Sequence, residues 1–371
     1  MTQLVLLGGG HAQLGVLANL AEQPMAGCDV RLVTPYRRQI YSGMLPGWIA
    51  GHYPIEACAI ALDALAARAG VAFHEAAVVA LDASGHSLCC DDGAELHFDL
   101  LSIDTGPVAA TDDLPGSAEH ALPIRPIEGF VAAWPKLVDR MLGVCRRFDL
   151  VILGAGAAGL ELAFGIRHRA MTDGWSHVRL TLVGSDTLPL EGAPDKLRRK
   201  AAALLAERGI SWVGGCRAER IEPNRICLDD GAALDFDACL VVTGTAAPSW
   251  PTAAGLATDE RGFIRVGPTL QSLSHPQIFA AGDIASYADA RPKSGVFAVR
   301  AGPTLAHNVR AVREGRALKS WHPQQRALYL ISTGDRHALA SWGRWAWHGD
   351  WVWHWKDRID RQFVRRFGAT A

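Results

Sequence analysis

Apolar and polar positions alternate along this chain in a pattern that repeats. A short apolar run, Leu4–Leu7, ends in Gly8-Gly9-Gly10-His11-Ala12-Gln13 and opens onto a leucine- and alanine-rich stretch of helical spacing. In mid-chain Leu150–Leu153 does the same, ending in Gly154-Ala155-Gly156-Ala157-Ala158-Gly159. A second apolar strand pattern follows each helix, Asp29–Val33 and Val178–Val183. Farther on, HSLCCDDGAELHFDLLSIDTG (86–106) aligns without a gap on NRICLDDGAALDFDACLVVTG (224–244), with about half the positions identical. Each segment predicts a strand, an Asp-Asp-Gly turn, a second strand, and an apolar run ending in Thr-Gly.

Strand, glycine turn and helix at this spacing form a dinucleotide-binding βαβ unit. Gly154 and Gly8 allow the tight turn, and Gly156 and Gly10 let a pyrophosphate approach the backbone. Gly159 lets helix and strand pack closely, and the helix N-terminus, beginning with Ala157 and Ala158, offers free N–H groups. In the first copy Gln13 stands where the third glycine belongs, which predicts looser packing there. Thr34-Pro35 stands where an acidic residue usually grips a ribose, and His11 reads as a loop residue beside the phosphates. The expected fold class is α/β, with two Rossmann-like units, the second inserted into the first, and a small Trp-rich C-terminal region. The expected division is 1–120 with 245–320, then 121–244, then 321–371. Ile127–Val144 has helical spacing inside the linking stretch.

Charge and composition narrow the function. Acidic and basic residues nearly cancel to a net −1, which gives no general attraction to nucleic acid. No basic leader and no bilayer-length apolar run is present, so a cytoplasmic protein is expected. The eight cysteines lack CxxC or zinc-ligand spacing and read as reduced core residues; no metal is expected. Toward the C-terminus Trp342, Trp345, Trp347, Trp351, Trp353 and Trp355 crowd together, and Lys356–Phe367 reads as a basic amphipathic helix with Ile359, Phe363 and Phe367 on one face. This segment fits a peripheral membrane foot. It also fits a lid or dimer interface, because the alternation of Trp351, Trp353 and Trp355 suits a strand packed on the body.

After the second Thr-Gly the chain runs to His275-Pro276-Gln277-Ile278-Phe279-Ala280-Ala281-Gly282-Asp283. Paired fingerprints with this Ala-x-Gly-Asp motif resemble the pyridine nucleotide–disulphide oxidoreductase superfamily over roughly residues 1–320. The resemblance implies FAD in the first unit, NAD(P)H in the second, and Asp283 bonded to the FAD ribityl chain. YSGMLPGWIAGHY (41–53), RPKSGVFAVRAGPTLAHN (291–308) and GDWVWHWKDRIDRQF (349–363) further resemble the flavoprotein module found fused to selenide, water dikinase, here without a kinase portion. Type II NADH dehydrogenases and sulfide:quinone oxidoreductases are its better-understood relatives.

On that resemblance FAD is expected against Gly8, Gly10, His11, Ala12, Thr34, Pro35, Tyr41, Ser42, Val78, Thr105, Gly106, Gly282, Asp283, Lys293 and Gly295. NAD(P)H is expected against Gly154, Gly156, Ala157, Ala158, Gly159, Glu161, Thr243 and Gly244. Glu161 would orient the nicotinamide or relay a proton, and Lys293 would balance charge on the reduced flavin. Asp186, just past the strand at 178–183, leans toward NADH, and Arg198-Arg199-Lys200 reads as a solvated helix face. Without a cysteine pair near 41–53 or any cysteine after Cys239, a dithiol relay is not expected. The leading reading is an NAD(P)H oxidoreductase serving a quinone-like acceptor. A thiol-, sulfide- or selenide-oxidising flavoprotein using Cys145, or a flavin-bearing redox-sensing partner, is the alternative.

Overall fold

The computed structural model describes residues 1–111, 113–289 and 292–368. Two five-stranded sheets carry the architecture. The first runs in the order Ile278–Ala280, Leu100–Ile103, Thr2–Leu7, Cys28–Thr34, Ala72–Glu75, every pair parallel. The second runs Leu122–Pro123, Ala238–Val241, Phe148–Leu153, Val178–Gly184, Ser211–Gly214, again all parallel. The central strands are covered on both faces, so Leu4, Leu6, Leu150 and Ile152 are buried and their sequence reads as unbroken apolar runs.

Beside each sheet lies a three-stranded antiparallel meander, Val78–Asp82, Ser87–Cys90, Glu95–His97 and its copy Ala218–Glu222, Arg225–Leu228, Ala233–Asp235. The copies share the Asp-Asp-Gly turn, whose glycines Gly93 and Gly231 take φ of 86° and 84°, a left-handed backbone that needs no Cβ. They also share an irregularity, between Val78 and Ala80 and between Ala218 and Arg220. Where the chain passes between the two sheets, Val108–Ala109 pairs antiparallel with Thr245–Ala246.

Close approach of helix to strand differs between the copies. A Cβ on Gly159 would lie 1.8 Å from the Gly154 carbonyl oxygen, so the second dinucleotide helix (Ala157–Thr172) requires that glycine. In the first dinucleotide helix (His11–Glu22) the bulkier Gln13 does not loosen the packing as expected. It is fully buried, and its amide accepts the Ser102 hydroxyl (2.9 Å) and donates to the Ser102 carbonyl (3.3 Å). A reciprocal hydrogen bond takes the place of bare backbone contact.

The C-terminal region is an antiparallel sheet, Leu328–Ser332, Ala338–Trp342 and Trp345–Gly349, leading into a helix, Asp350–Phe367. The strand suggested by Trp351, Trp353 and Trp355 is therefore corrected: all three are helical. Asp350 in the first turn, Arg365 and Arg366 in the last, and the Lys356–Asp360 and Asp357–Arg361 pairs at i,i+4 favour that helix. Val352, Trp353, Lys356, Asp360 and Phe367 face the body, whereas Trp351, Trp355 and Ile359 form an exposed stripe. Ile359, Phe363 and Phe367 follow one another along the helix at i, i+4 and i+8, and that row passes from exposed at Ile359 to buried at Phe367. Val352 and Trp353 join the core that holds the second sheet's helices, and Phe367 joins the core under the first.

Candidate functional site

A cavity of about 430 Å³ opens at the C-terminal edge of the first sheet. Gly8, Gly10, His11, Asp283 and Gly295 line it together, Gly295 lying against the His11 ring, and Thr34, Pro35, Ser42, Val78, Thr105 and Gly106 complete the lining. These residues come from seven separate stretches of sequence, and the fold brings them together. Two polar atoms in the wall lack partners among the described residues, His11 Nε2 and Gln39 Oε1. Burial lowers the His11 pKa to about 4, so the ring is neutral. With the Gln39 amide 3.1 Å from Nδ1, Nε2 carries the proton. Two residues of the lining thus hold an unmet donor and an unmet acceptor, groups that a ligand bearing hydroxyls or an imide edge would satisfy. FAD fits that requirement.

The strongest electrostatic feature was not expected from the sequence. Asp104, just before Thr105, is 2 % exposed and accepts the backbone N–H of Ala12 (2.8 Å) and Gln13 (3.0 Å). Its carboxyl fills the space beside Gly10 and Gly282, where a Cβ would come within 2.2 and 2.3 Å of it. Gly10 and Gly282 are thus glycine to admit this carboxyl, and Ala12 contributes its N–H inward rather than to the cavity. Burial, the larger cause, and the nearby Asp283 raise the Asp104 pKa to about 7 against the pull of the two N–H groups. The signal was legible: the sibling repeat carries Val242 at this place.

Charge in the cavity is supplied by Arg125, 3.6 Å from the Asp283 carboxylate, and by Arg38, which grips Glu128 with two bonds of 3.0 and 3.2 Å. Lys293, expected to fill that role, does not line the cavity. Its ammonium donates to the Ala285 carbonyl (2.5 Å) and lies over the Phe263 ring, 3.9 Å from the centroid. Carbonyl and ring face together compensate a half-desolvated cation, whose pKa burial lowers to about 8. Tyr41 is likewise off the wall, stacked on Phe363 at 4.5 Å, while the short helix Leu45–Ile49 packs on the second dinucleotide helix with Gly165 against the Pro46 carbonyl.

A second cavity of about 450 Å³ sits at the matching edge of the second sheet, lined by Gly154, Gly156, Ser185, Arg217, Thr243 and Gly244 among others. A Cβ on Gly156 would meet nothing within 4 Å, and no side chain caps this helix. Its first N–H groups, from Ala157 and Ala158 onward, are available to a phosphate. Here the expected charges are rearranged. Asp186 is drawn into an ion pair with Arg198 (2.6 Å), which also donates to Leu188 and Pro189 carbonyls, so Arg198 is not a solvated residue. Arg217 is the cation lining the cavity.

Glu161 points to the junction of the second dinucleotide helix, strand Leu328–Ser332 and the C-terminal helix. It is buried, accepts the Ser332 N–H (2.7 Å) and lies 3.9 Å from the Lys356 ammonium. Lys356 in turn bonds Asp360 (2.6 Å) and donates to the Gly43 carbonyl (2.5 Å), next to the cavity residue Ser42. Burial raises the Glu161 pKa to about 7, with Lys356 opposing and Asp360 assisting. Burial works against the Lys356 charge, but Asp360 and Glu161 outweigh it and hold the ammonium ionised.

The cysteines are free. Cys58 is buried against the Met44 and Pro54 carbonyls, its pKa pushed up to about 12 by burial, and Cys145 is exposed beyond the helix Ile127–Leu142.

The sequence profile of the pyridine nucleotide-disulphide oxidoreductase family matches residues 2–315. An NADH dehydrogenase-like protein of Mycobacterium tuberculosis is 26% identical over 296 residues, 77% of this chain and 73% of its own length. The demethylphylloquinone reductase NdbB of Synechocystis is 26% identical over 331 residues, 85% of this chain and 81% of its own. Among solved structures, NDH2 from Plasmodium falciparum in complex with NADH superposes with a TM-score of 0.83 at 12% identity, covering 99% of this chain and 97% of that one. The sulfide:quinone oxidoreductase of Aquifex aeolicus gives 0.82 at 18% identity, covering 99% and 92%.

Proposed function

This chain belongs to the pyridine nucleotide-disulphide oxidoreductase family, and from that membership we propose that it is an FAD-dependent NAD(P)H oxidoreductase delivering electrons to a quinone. One observation carries the proposal: residues from distant parts of the chain, Gly8–His11 and Asp283, meet across one cavity whose buried His11 and Gln39 atoms await a polar ligand. The relatives named for NADH and for a phylloquinone-type substrate support the donor and the acceptor. The reading divides the chain into an FAD unit (1–120 and 245–320), an inserted NAD(P) unit (121–244) and a closing segment (321–371).

FAD, held by Gly8–His11 and Asp283, would supply the hydride and electron-transfer chemistry between nicotinamide and quinone. The residues supply placement and protons. Asp283 accepts from ligand hydroxyls, steadied by Arg125. Gly156 would leave room for the nicotinamide cofactor's phosphates, and Arg217 would bring a positive charge to the second cavity. Glu161, with a pKa near 7, holds or releases a proton at neutral pH, and Lys356 ties it to the backbone of the flavin-side loop at Gly43. Cys58, protonated and buried, supports electron transfer without a thiol relay.

Among the described residues no helix is long and apolar enough to cross a membrane. The exposed stripe of Trp351, Trp355 and Ile359, beside exposed Trp342 and Trp345, supports a peripheral contact with a membrane holding the quinone. The purified protein should be yellow, bleach anaerobically with NADH or NADPH, and recover its colour on addition of a soluble short-chain quinone. A protein that takes up no FAD, or whose flavin neither nicotinamide reduces, refutes the proposal.

A further inference from the structure

The two meanders provide an internal control on one surface cluster. His74, Cys90 and Asp92 bring a ring nitrogen, a sulfur and a carboxylate oxygen within 4.8 Å of one another, and His74 Nε2 lies 2.7 Å from Asp92 Oδ2. The equivalent positions in the sibling unit are fixed by backbone bonds. Val33 and Val183 each accept the N–H of the first fingerprint glycine, and their register partners are His74 and Val213. Cys90 and Leu228 each donate N–H across the turn, to Ala94 and Ala232. Asp92 and Asp230 each accept that alanine's N–H on a side-chain oxygen. The turn aspartate is therefore common to both copies. Val213 and Leu228, however, are ordinary members of one apolar cluster. In the first copy both of these apolar positions, and not just one, carry residues of metal-ligand type.

We propose that His74, Cys90 and Asp92 form a binding site for a divalent transition metal of the zinc class, with solvent completing the coordination. Nitrogen, sulfur and carboxylate donors in one site select borderline metals such as zinc over magnesium or calcium. Zinc bonds of about 2.0–2.3 Å hold tetrahedral ligand atoms roughly 3.3–3.7 Å apart, so the ion would part His74 from Asp92 and draw the three donors, now within 4.8 Å, around itself. Cys90 is buried, and a thiol gives up its proton when it ligates zinc. Asp92, at the exposed side of the cluster, gives the entry path. The bound ion would clamp the outer strand of the first sheet, Ala72–Glu75, to the meander turn. The neighbouring residues Ala77 and Val78 line the first cavity.

The test uses the intact protein, loaded with zinc(II), dialysed, and assayed for metal per chain. The comparison variant His74→Val with Cys90→Leu installs the residues that the sibling unit already packs. Circular dichroism and flavin retention check its fold. The wild type should keep one zinc per chain and release a proton on binding, and the double variant should keep none. Cys89→Ser, which alters the exposed neighbour, should bind like the wild type. Cobalt(II) in place of zinc should give ligand-field bands to the red of the flavin absorption, lost in Cys90→Ser. Equal zinc in the wild type and a folded double variant, or no retained zinc in the wild type, overturns the assignment.

Discussion

Replacing Asp104 by Asn removes an ionisable group from the N-terminus of the first dinucleotide helix while leaving an oxygen to accept the Ala12 and Gln13 N–H groups. The pKa is raised from 3.8 to about 7 in the folded protein. Below the unfolded value both states bind the proton, and the folded state is fully stable. Between the two values the folded state holds a proton that the unfolded state has lost, so stability falls as pH rises, by ~1.4 kcal/mol per pH unit. Across the window from about pH 4 to pH 7 the wild type should lose about 4 kcal/mol through this group, and nothing further above it. Partial compaction of the unfolded state reduces that figure somewhat. The assay is denaturant unfolding of both proteins at half-unit steps from pH 4.5 to 8, reading the difference between them. Glu161 titrates in the same range but is present in both and cancels. A difference that stays constant with pH would refute the reasoning, since it would mean that Asp104 ionises freely inside the fold.

Other expectations follow from the same geometry. Arg217→Ala should raise KM for NADPH roughly tenfold, the worth of one charge-assisted hydrogen bond, and leave that for NADH within about twofold, by initial-rate kinetics. Lys356→Met leaves Asp360 and Glu161 buried without their cation and should cost about 3–5 kcal/mol in denaturant unfolding at pH 8. Adding Asp360→Leu should restore a large part of the loss. Asp283→Ala should purify with less than about a tenth of the wild-type flavin, read at the visible absorption band, because a buried acceptor for ligand hydroxyls is gone. Trp351→Ser with Trp355→Ser should weaken sedimentation with anionic vesicles roughly tenfold without changing reduction by NADH.

The paired glycine fingerprints, the duplicated meander and the return at Ala280–Asp283 were all readable, because each rests on local backbone chemistry: a turn that only glycine makes, a strand buried on both faces, a hairpin repeated in sequence. Glycine positions 8, 10, 154 and 156 and the rim at Thr105-Gly106 and Thr243-Gly244 accordingly line the two cavities. What escaped was the direction of long side chains. Glu161 and Lys293 occupy expected places in the sequence, yet each turns toward a partner from a distant segment, Lys356 in one case and the Phe263 ring in the other. Arg125 and Arg217 carried no motif at all. The C-terminal tryptophans misled because alternation at three positions is too short to separate a strand from one helical turn with an exposed and a buried side.

The ribbon joining the two sheets, Val108–Ala109 against Thr245–Ala246, is only two residues wide on each side. A ribbon so short supplies few of the bonds that hold the two units together. Further ties join the two units: the helix Leu45–Ile49 packs on Ala157–Thr172, Arg38 pairs with Glu128, and the terminal helix bonds Gly43 and approaches Glu161 through a single lysine. One lysine thus ties segments far apart in sequence, and replacing it would be felt in both units at once without changing a residue of either pocket.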